Sequence, residues 1–231
     1  MRQVIGKRTL DLDAADFAAL RAPYERLVVD LGTGDGKHVL AVARAHPDTL
    51  VVGVDASPDA MRKTAFRAAQ KPARGGTPNA MFVWASAEQL PPELDGIDEL
   101  HALMPWGSLL RTLTLTEQSN ALLSVGERCR TGATFLITLN LHAWRPPVPE
   151  VGDAPEPTPD SARTDLAVEY EKAGWHLDDV HYADDAELAA YGTSWTKRLG
   201  STRDELAVLT LRWTINRGTD GSTRRAPSTS R

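Results

Sequence analysis

Apolar residues along the chain arrive in short blocks, and the spacing inside each block predicts its structure. Leu27–Leu31 in ERLVVDLG is apolar except at Asp30, which suits a strand covered on both faces. It runs through DLGTGDG into KHVLAVARAH, whose apolar residues recur at helical spacing up to Pro47. LVVGVDAS predicts a second strand ending at Asp55, and Ser57 and Pro58 head a helix to about Gln70 as N-cap and first helical residue. NAMFVWAS and IDELHALM predict a third and a fourth strand. A helix over 116–130 and a fifth strand, ATFLITLNL, follow. Strands alternating with helices predict an α/β fold, a mostly parallel sheet with helices on both faces.

The pattern changes after Leu141. HAWRPPVPEVGDAPEPTPDSA is proline-rich and long for a connection without structure of its own, the kind of insertion that is either functional or mobile. A helix over 161–172, the strand WHLDDVHYA, a short helix over 184–191, the irregular GTSWTKRLGST and a last strand ELAVLTLRWTI complete the core. RGTDGSTRRAPSTSR has no apolar pattern, so residues 1–216 read as one domain and 217–231 as a disordered basic tail.

Composition narrows the class. With 231 residues, 42% of them hydrophobic and 25% charged, the chain can bury one full-sized core. No apolar run approaches the roughly 20 residues that span a bilayer, and the N-terminus lacks the apolar centre of a secretion signal, which points to the cytoplasm. The single cysteine, Cys129, reads as a small buried apolar residue. The net charge of −5 is not that of an obvious nucleic-acid binder. Local distribution matters more, and bases gather at Arg62, Lys63, Arg67, Lys71 and Arg74, and again at Lys197, Arg198 and Arg203.

The glycine turn carries the first chemistry. Gly32, Gly34 and Gly36 let the backbone approach a ligand at the carboxyl edge of the sheet, and Asp55 at the end of the second strand is placed to accept from ribose hydroxyls. The spacing departs from G-x-G-x-x-G, and Asp30 and Asp35 would repel a pyrophosphate. Both acids suit the sulfonium and ammonium of S-adenosylmethionine. The turn resembles the first motif of class I methyltransferases. In such enzymes the end of the third strand meets the adenine ring, here Ala87 and Glu88.

The loop after the fourth strand carries the second. Many base methyltransferases place Asn/Asp-Pro-Pro-aromatic there, the first residue accepting from an exocyclic amine and the aromatic stacking on the flipped base. This chain has Met104-Pro105-Trp106. The stacking residue is present and the amine acceptor is not, which disfavours exocyclic-amine methylation. A ring nitrogen needs no such acceptor, because its lone pair is free at neutral pH. Trp195, beside Lys197, Arg198 and Arg203, is the candidate for the opposite face of the base.

Taken together, VVDLGTGDGKH, VDAS, MPWGSLLR, LNLHAWRPPVPEVG, PEPTPDSA and TSWTKRL resemble the aminoglycoside-resistance 16S rRNA adenine-N1 methyltransferases of actinomycete antibiotic producers, over roughly residues 1–215. The resemblance implies a seven-stranded class I methyltransferase fold with an N-terminal hairpin, and methylation of a decoding-site adenine in the assembled 30S subunit by a monomer. It implies that Trp106 and Trp195 sandwich the adenine with Ser194 beside them. It further implies a cosubstrate pocket lined by Asp30, Gly32, Gly34, His38, Asp55, Ala56, Ala87, Glu88, Met104, Pro105, Trp106, Gly107, Ser108, Leu109, Thr193, Ser194 and Trp195. Arg198 and Arg203 would hold phosphates near the flipped base, Lys197 would also contact the RNA, and Lys63, Arg67 and Lys71, with Lys7 and Arg8 of the hairpin, would dock on surrounding rRNA.

Six histidines and no cysteine cluster give no pair at metal-ligand spacing beside an acid, so no metal is expected. Three rivals stand beside the main reading. A tRNA guanine-N7 methyltransferase would normally carry an acid where Met104 stands. A NAD-dependent oxidoreductase is disfavoured by the acids of the turn. A non-catalytic rRNA-binding module would bind no cosubstrate.

Overall fold

The computed structural model describes residues 1–115, 120–146, 150–191 and 207–216. A hairpin of β1 (Arg2–Ile5) and β2 (Arg8–Asp11) opens the chain. Then come α1 (Ala14–Arg21), β3 (Arg26–Leu31), α2 (Lys37–Ala45), β4 (Thr49–Asp55), α3 (Pro58–Ala68), β5 (Ala80–Trp84) and β6 (Ile97–Leu103). After β6 follow α4 (Gly107–Leu113), α5 (Ala121–Arg128) and β7 (Cys129–Asn140). A helical run of α6 (Pro159–Ser161), a π-helical stretch (Ala162–Leu166) and α7 (Ala167–Lys172) leads to β8 (Trp175–Tyr182), α8 (Asp185–Tyr191) and β9 (Val208–Ile215).

The strands lie in the order β2-β1-β5-β4-β3-β6-β7-β9-β8. Strands β3 to β7 are parallel, and β9 runs antiparallel between β7 and β8. The sheet has nine strands where seven were expected, because the hairpin joins it: Gln3 pairs with Val83 and covers what would otherwise be the exposed edge of β5. Alternation along β3 sends Leu27, Val29 and Leu31 into the larger core and Val28 into a second core beneath α2 and α3, with Val39, Met61 and Phe82. That second face also receives Asp30, and the register sets it beside His101 of β6.

Several local expectations need correction. DLDAADF, to which the sequence assigned no element, is helical from Ala14, with Asp13 capping α1 by accepting from the Asp16 amide at 2.8 Å. Ser57 occupies the N-cap of α3, but its side chain makes no capping bond, and its amide donates to Asp55 instead. The loop expected after β6 lasts three residues before α4 begins. The helix expected over 116–130 is helical at Ala121–Arg128, and β7 already starts at Cys129. The proline-rich connection is pinned in its described parts: Arg145 donates to both oxygens of Glu156 at 2.8 Å, Val151 is buried, and Thr158 caps the helical run. Trp175 and Trp213 are fully buried and Cys129 is buried, whereas Trp84 is half-buried with the Arg2 guanidinium 3.6 Å above its ring.

Candidate active site

The carboxyl ends of β3, β4, β5 and β6 converge on one edge of the sheet, where the glycine turn, Asp55, the 85–88 segment and the Trp106 loop meet. Gly32, Gly34 and Gly36 all have left-handed φ, 66°, 55° and 70°. A side chain at Gly36 would put its Cβ 2.3 Å from Phe82, so that glycine lets the turn settle on the core. Among the described residues, a Cβ at Gly34 would meet nothing within 4 Å. Asp55 braces the turn: one carboxylate oxygen accepts from the Gly34 amide at 2.8 Å and the other from the Ser57 amide at 2.7 Å. Each oxygen keeps a second lone pair for ribose hydroxyls.

The two turn acids differ. Asp30 is 3% exposed and accepts from the Thr33 hydroxyl at 2.6 Å. The Asp35 carboxylate is paired with Lys37 at 2.6 Å, so its charge is answered within the chain and the preference for a cation rests on Asp30 and Asp55.

Glu88 ties the segment after β5 to α4. Its carboxylate accepts from Ser86 and, at 2.7 Å, from Ser108 in α4. Burial pushes its pKa up, but the two hydroxyls outweigh burial and hold it below the usual range, so Glu88 is a carboxylate at neutral pH. Ala87 and Leu109 are buried, Leu109 lying over Gly32, while Ala56 and Ser108 are exposed.

The loop itself is a backbone device. Met104 has φ 52°, strained for a residue with a side chain, and its amide donates to Thr138 through both the carbonyl and the hydroxyl, at 2.9 and 3.0 Å. Its side chain turns into a small cluster with Leu188, Tyr191 and Val208, so Met104 shapes the loop from below. Pro105 is buried, Gly107 has φ 60°, and Trp106 stands at the N-cap of α4 with 47% of its surface exposed.

His38 lies beneath the turn. Its Nδ1 faces the Tyr191 carbonyl and its Nε2 faces Nδ1 of His101, each at 2.9 Å. Asp30, His38 and His101 offer one ligand atom each within 4.8 Å, a grouping that sequence spacing could not show. Two imidazoles on one tetrahedral zinc ion, with bonds of about 2.0–2.1 Å, hold their nitrogens about 3.3 Å apart. The 2.9 Å contact between the rings is shorter than that and within hydrogen-bond distance.

The basic candidates at the N-terminal end form one surface. The hairpin turn with Lys7 and Arg8 lies against α3, sharing a groove with Arg62, Lys63 and Phe66, and Arg67 and Lys71 are also exposed. Phe66 was missed from the sequence. Its ring is 60% exposed among these cations, and only the solvent-facing 62-63-66-67 stripe of the helix could have marked it. Thr193, Ser194, Trp195, Lys197, Arg198, Arg203 and residues 217–231 lie outside the described residues.

The strand order from β5 to β8, the glycine turn braced by the acid at the end of β4 and the exposed aromatic after β6 define a class I, S-adenosylmethionine-dependent methyltransferase. The chain belongs to the 16S rRNA (adenine(1408)-N(1))-methyltransferase family, whose profile, named NpmA, matches residues 2–214. The family enzyme of Streptoalloteichus hindustanus is 53% identical over 216 residues, 94% of this chain and 100% of that protein. The crystal structure of the 16S rRNA methyltransferase KamB superposes with a TM-score of 0.88 at 53% identity, covering 94% of this chain and all of that one. A tryptophan-to-alanine variant of the family enzyme from Catenulisporales acidiphilia, solved with cosubstrate SAM, gives a TM-score of 0.86 at 38% identity, over 96% of this chain and 99% of that one.

Proposed function

We propose that this chain methylates N1 of the decoding-site adenine, adenine(1408) in the family's name, of 16S rRNA in the assembled 30S subunit, and thereby confers aminoglycoside resistance. The observation that carries the reading is the half-exposed Trp106, raised on a strained turn at the edge where Asp55 and Gly34 leave room for a nucleoside. S-adenosylmethionine, when bound, supplies an electrophilic methyl group. Adenine N1 has an in-plane lone pair at neutral pH, so the chain needs no general base and only has to flip, hold and align the ring. The base takes up positive charge as the methyl arrives, and the electron-rich face of Trp106 favours that charge as well as the stacking.

In this reading Trp106 and Trp195 clamp the base with Ser194 beside them. Asp30, Gly32, Gly34, Asp55, Ala56, Ala87, Glu88, Thr193 and the 104–109 loop form the cosubstrate pocket, and His38, whose two ring nitrogens face Tyr191 and His101, supports it from beneath. Lys197, Arg198 and Arg203 hold phosphates near the flipped nucleotide, while Lys7, Arg8, Lys63, Arg67 and Lys71 dock on more distant rRNA. The enzyme acts as a monomer, in the cytoplasm where 30S subunits are, with residues 1–216 as its one domain.

The test offers labelled S-adenosylmethionine with 30S subunits, protein-free 16S rRNA or bulk tRNA. Label in the 30S subunit alone is the expected result. Label in tRNA would favour the guanine-N7 rival, and cosubstrate binding without transfer to any of the three would contradict an enzyme of this specificity.

A further inference from the structure

The imidazoles of His38 and His101 face each other behind the cosubstrate turn, and no part of the reaction above uses them. His38 sits in the first turn of α2, directly after the glycines, and is 9% exposed. His101 is on β6, three residues before Met104, and is 5% exposed. Tyr191, whose carbonyl His38 meets, ends α8 and packs with Met104. One run of contacts therefore joins the cosubstrate turn, the strand that carries Trp106 and the end of α8.

The partners fix the number of protons in that run. A carbonyl can only accept, so Nδ1 of His38 carries a hydrogen toward Tyr191. At its far end, Nε2 of His101 lies 2.8 Å from Glu99, which burial pushes up less than the His101 contact pulls down, leaving its pKa at about 2; Glu99 too can only accept, so that nitrogen also carries a hydrogen. The contact between the rings needs a third. Two neutral imidazoles have two ring hydrogens between them, so the pair holds one in excess, with a single positive charge.

The surroundings suit that charge. Asp30 on β3 stands across the strand register from His101, and the other oxygen of Glu99 pairs with Arg26 at 2.9 Å. Burial lowers the pKa of His38, with Asp30 opposing it, so burial disfavours placing the charge on that ring. Lys37, on the helix beside His38, is directed to Asp35.

We propose that His38 and His101 are positioning residues, a buried imidazole pair whose shared excess proton fixes the cosubstrate turn against the Trp106 loop and α8 in the geometry for methyl transfer. The inference rests on the function proposed above for its kinetic consequence and on the structure alone for its proton count. When pH rises and the excess proton leaves, one of the three contacts is left between two acceptors and opens. Rate then falls on the alkaline side while the fold persists.

Two measurements test this on the full chain. Long-range proton–nitrogen NMR of the ring nitrogens, assigned with His38→Gln and His101→Gln, should find one histidine protonated at Nδ1 alone and the other at both nitrogens at neutral pH. Two neutral rings would overturn the pair whatever the protein's substrate. In the second measurement, methylation of 30S subunits is followed against pH. A glutamine amide can donate to His38 without a titrating proton, so His101→Gln should keep a tenth or more of the wild-type kcat and lose the alkaline fall. His101→Leu should lose kcat at least 30-fold with the Kd for S-adenosylmethionine within about three-fold. The same alkaline limb in wild type and His101→Gln, or a wild-type rate in His101→Leu, would refute the positioning role.

Discussion

Trp106 follows the strained Met104 and buried Pro105 and is 47% exposed, and the proposed function assigns that surface to the flipped base. Trp106→Ala is expected to reduce 30S methylation at least 100-fold while calorimetry finds S-adenosylmethionine affinity within a few-fold, since stacking contributes about 1–3 kcal/mol per base and alignment adds to it. Gly36→Ala acts on the fold instead. Left-handed φ and a 2.3 Å approach to Phe82 should cost on the order of 3 kcal/mol and lower Tm by about 6–12 °C. Glu99 gives a pH signature with a definite sign. Its carboxyl titrates near 2 in the fold against an ordinary 4.5, so its stabilisation is complete above 4.5 and is lost as pH falls toward 2. Acid unfolding of Glu99→Gln should therefore show a weaker pH dependence across that window, and an unchanged acid limb would speak against the Glu99–His101 contact. At this scale the sequence revealed the acids, glycines and aromatic that face the site. It could not reveal that Asp35 is answered by Lys37, or that His38 and His101, 63 positions apart, touch, because both depend on strand register and helix docking.

Among the elements, the strands were the most legible, since parallel strands covered on both faces write long apolar runs. Helices α1 and α4 were not. Each is eight residues or fewer, α1 shows little amphipathic contrast, and α4 hides behind Pro105 and Gly107, residues that usually signal a turn. The strained φ of Met104 leaves no mark in a sequence, because methionine is ordinary in every element. Helix α3 was legible, but not its meeting with the hairpin, which brings Lys7 and Arg8 to Lys63 and Phe66. If that face docks on rRNA, Lys63→Ala and Arg67→Ala should each weaken 30S binding and lower the slope of log affinity against log salt by about 0.7–0.9, with cosubstrate affinity unchanged. An unchanged slope would remove these residues from the interface. Phe66→Ala should weaken 30S binding with little change in that slope, because an aromatic ring releases no counterions.

For the whole molecule, the sheet gathers at one edge what the chain scatters from Asp30 to Trp106, and the hairpin extends the same sheet toward a basic surface. The fold class was readable from alternating strands and helices, and the family from a few short stretches. The nine-strand count was not, because a four-residue strand joined to β5 by one residue pair leaves almost no trace in periodicity. The central claim is that this edge delivers a methyl group to a nitrogen on the Watson–Crick edge of a base. Reverse transcription across the decoding site of 30S subunits treated with the enzyme and S-adenosylmethionine tests it most directly, because a methyl on adenine N1 blocks the pairing that copying requires. A strong stop one nucleotide before adenine(1408), absent without the cosubstrate and absent with Trp106→Ala, is the result predicted. Full read-through at that position in subunits shown to carry the label would contradict it.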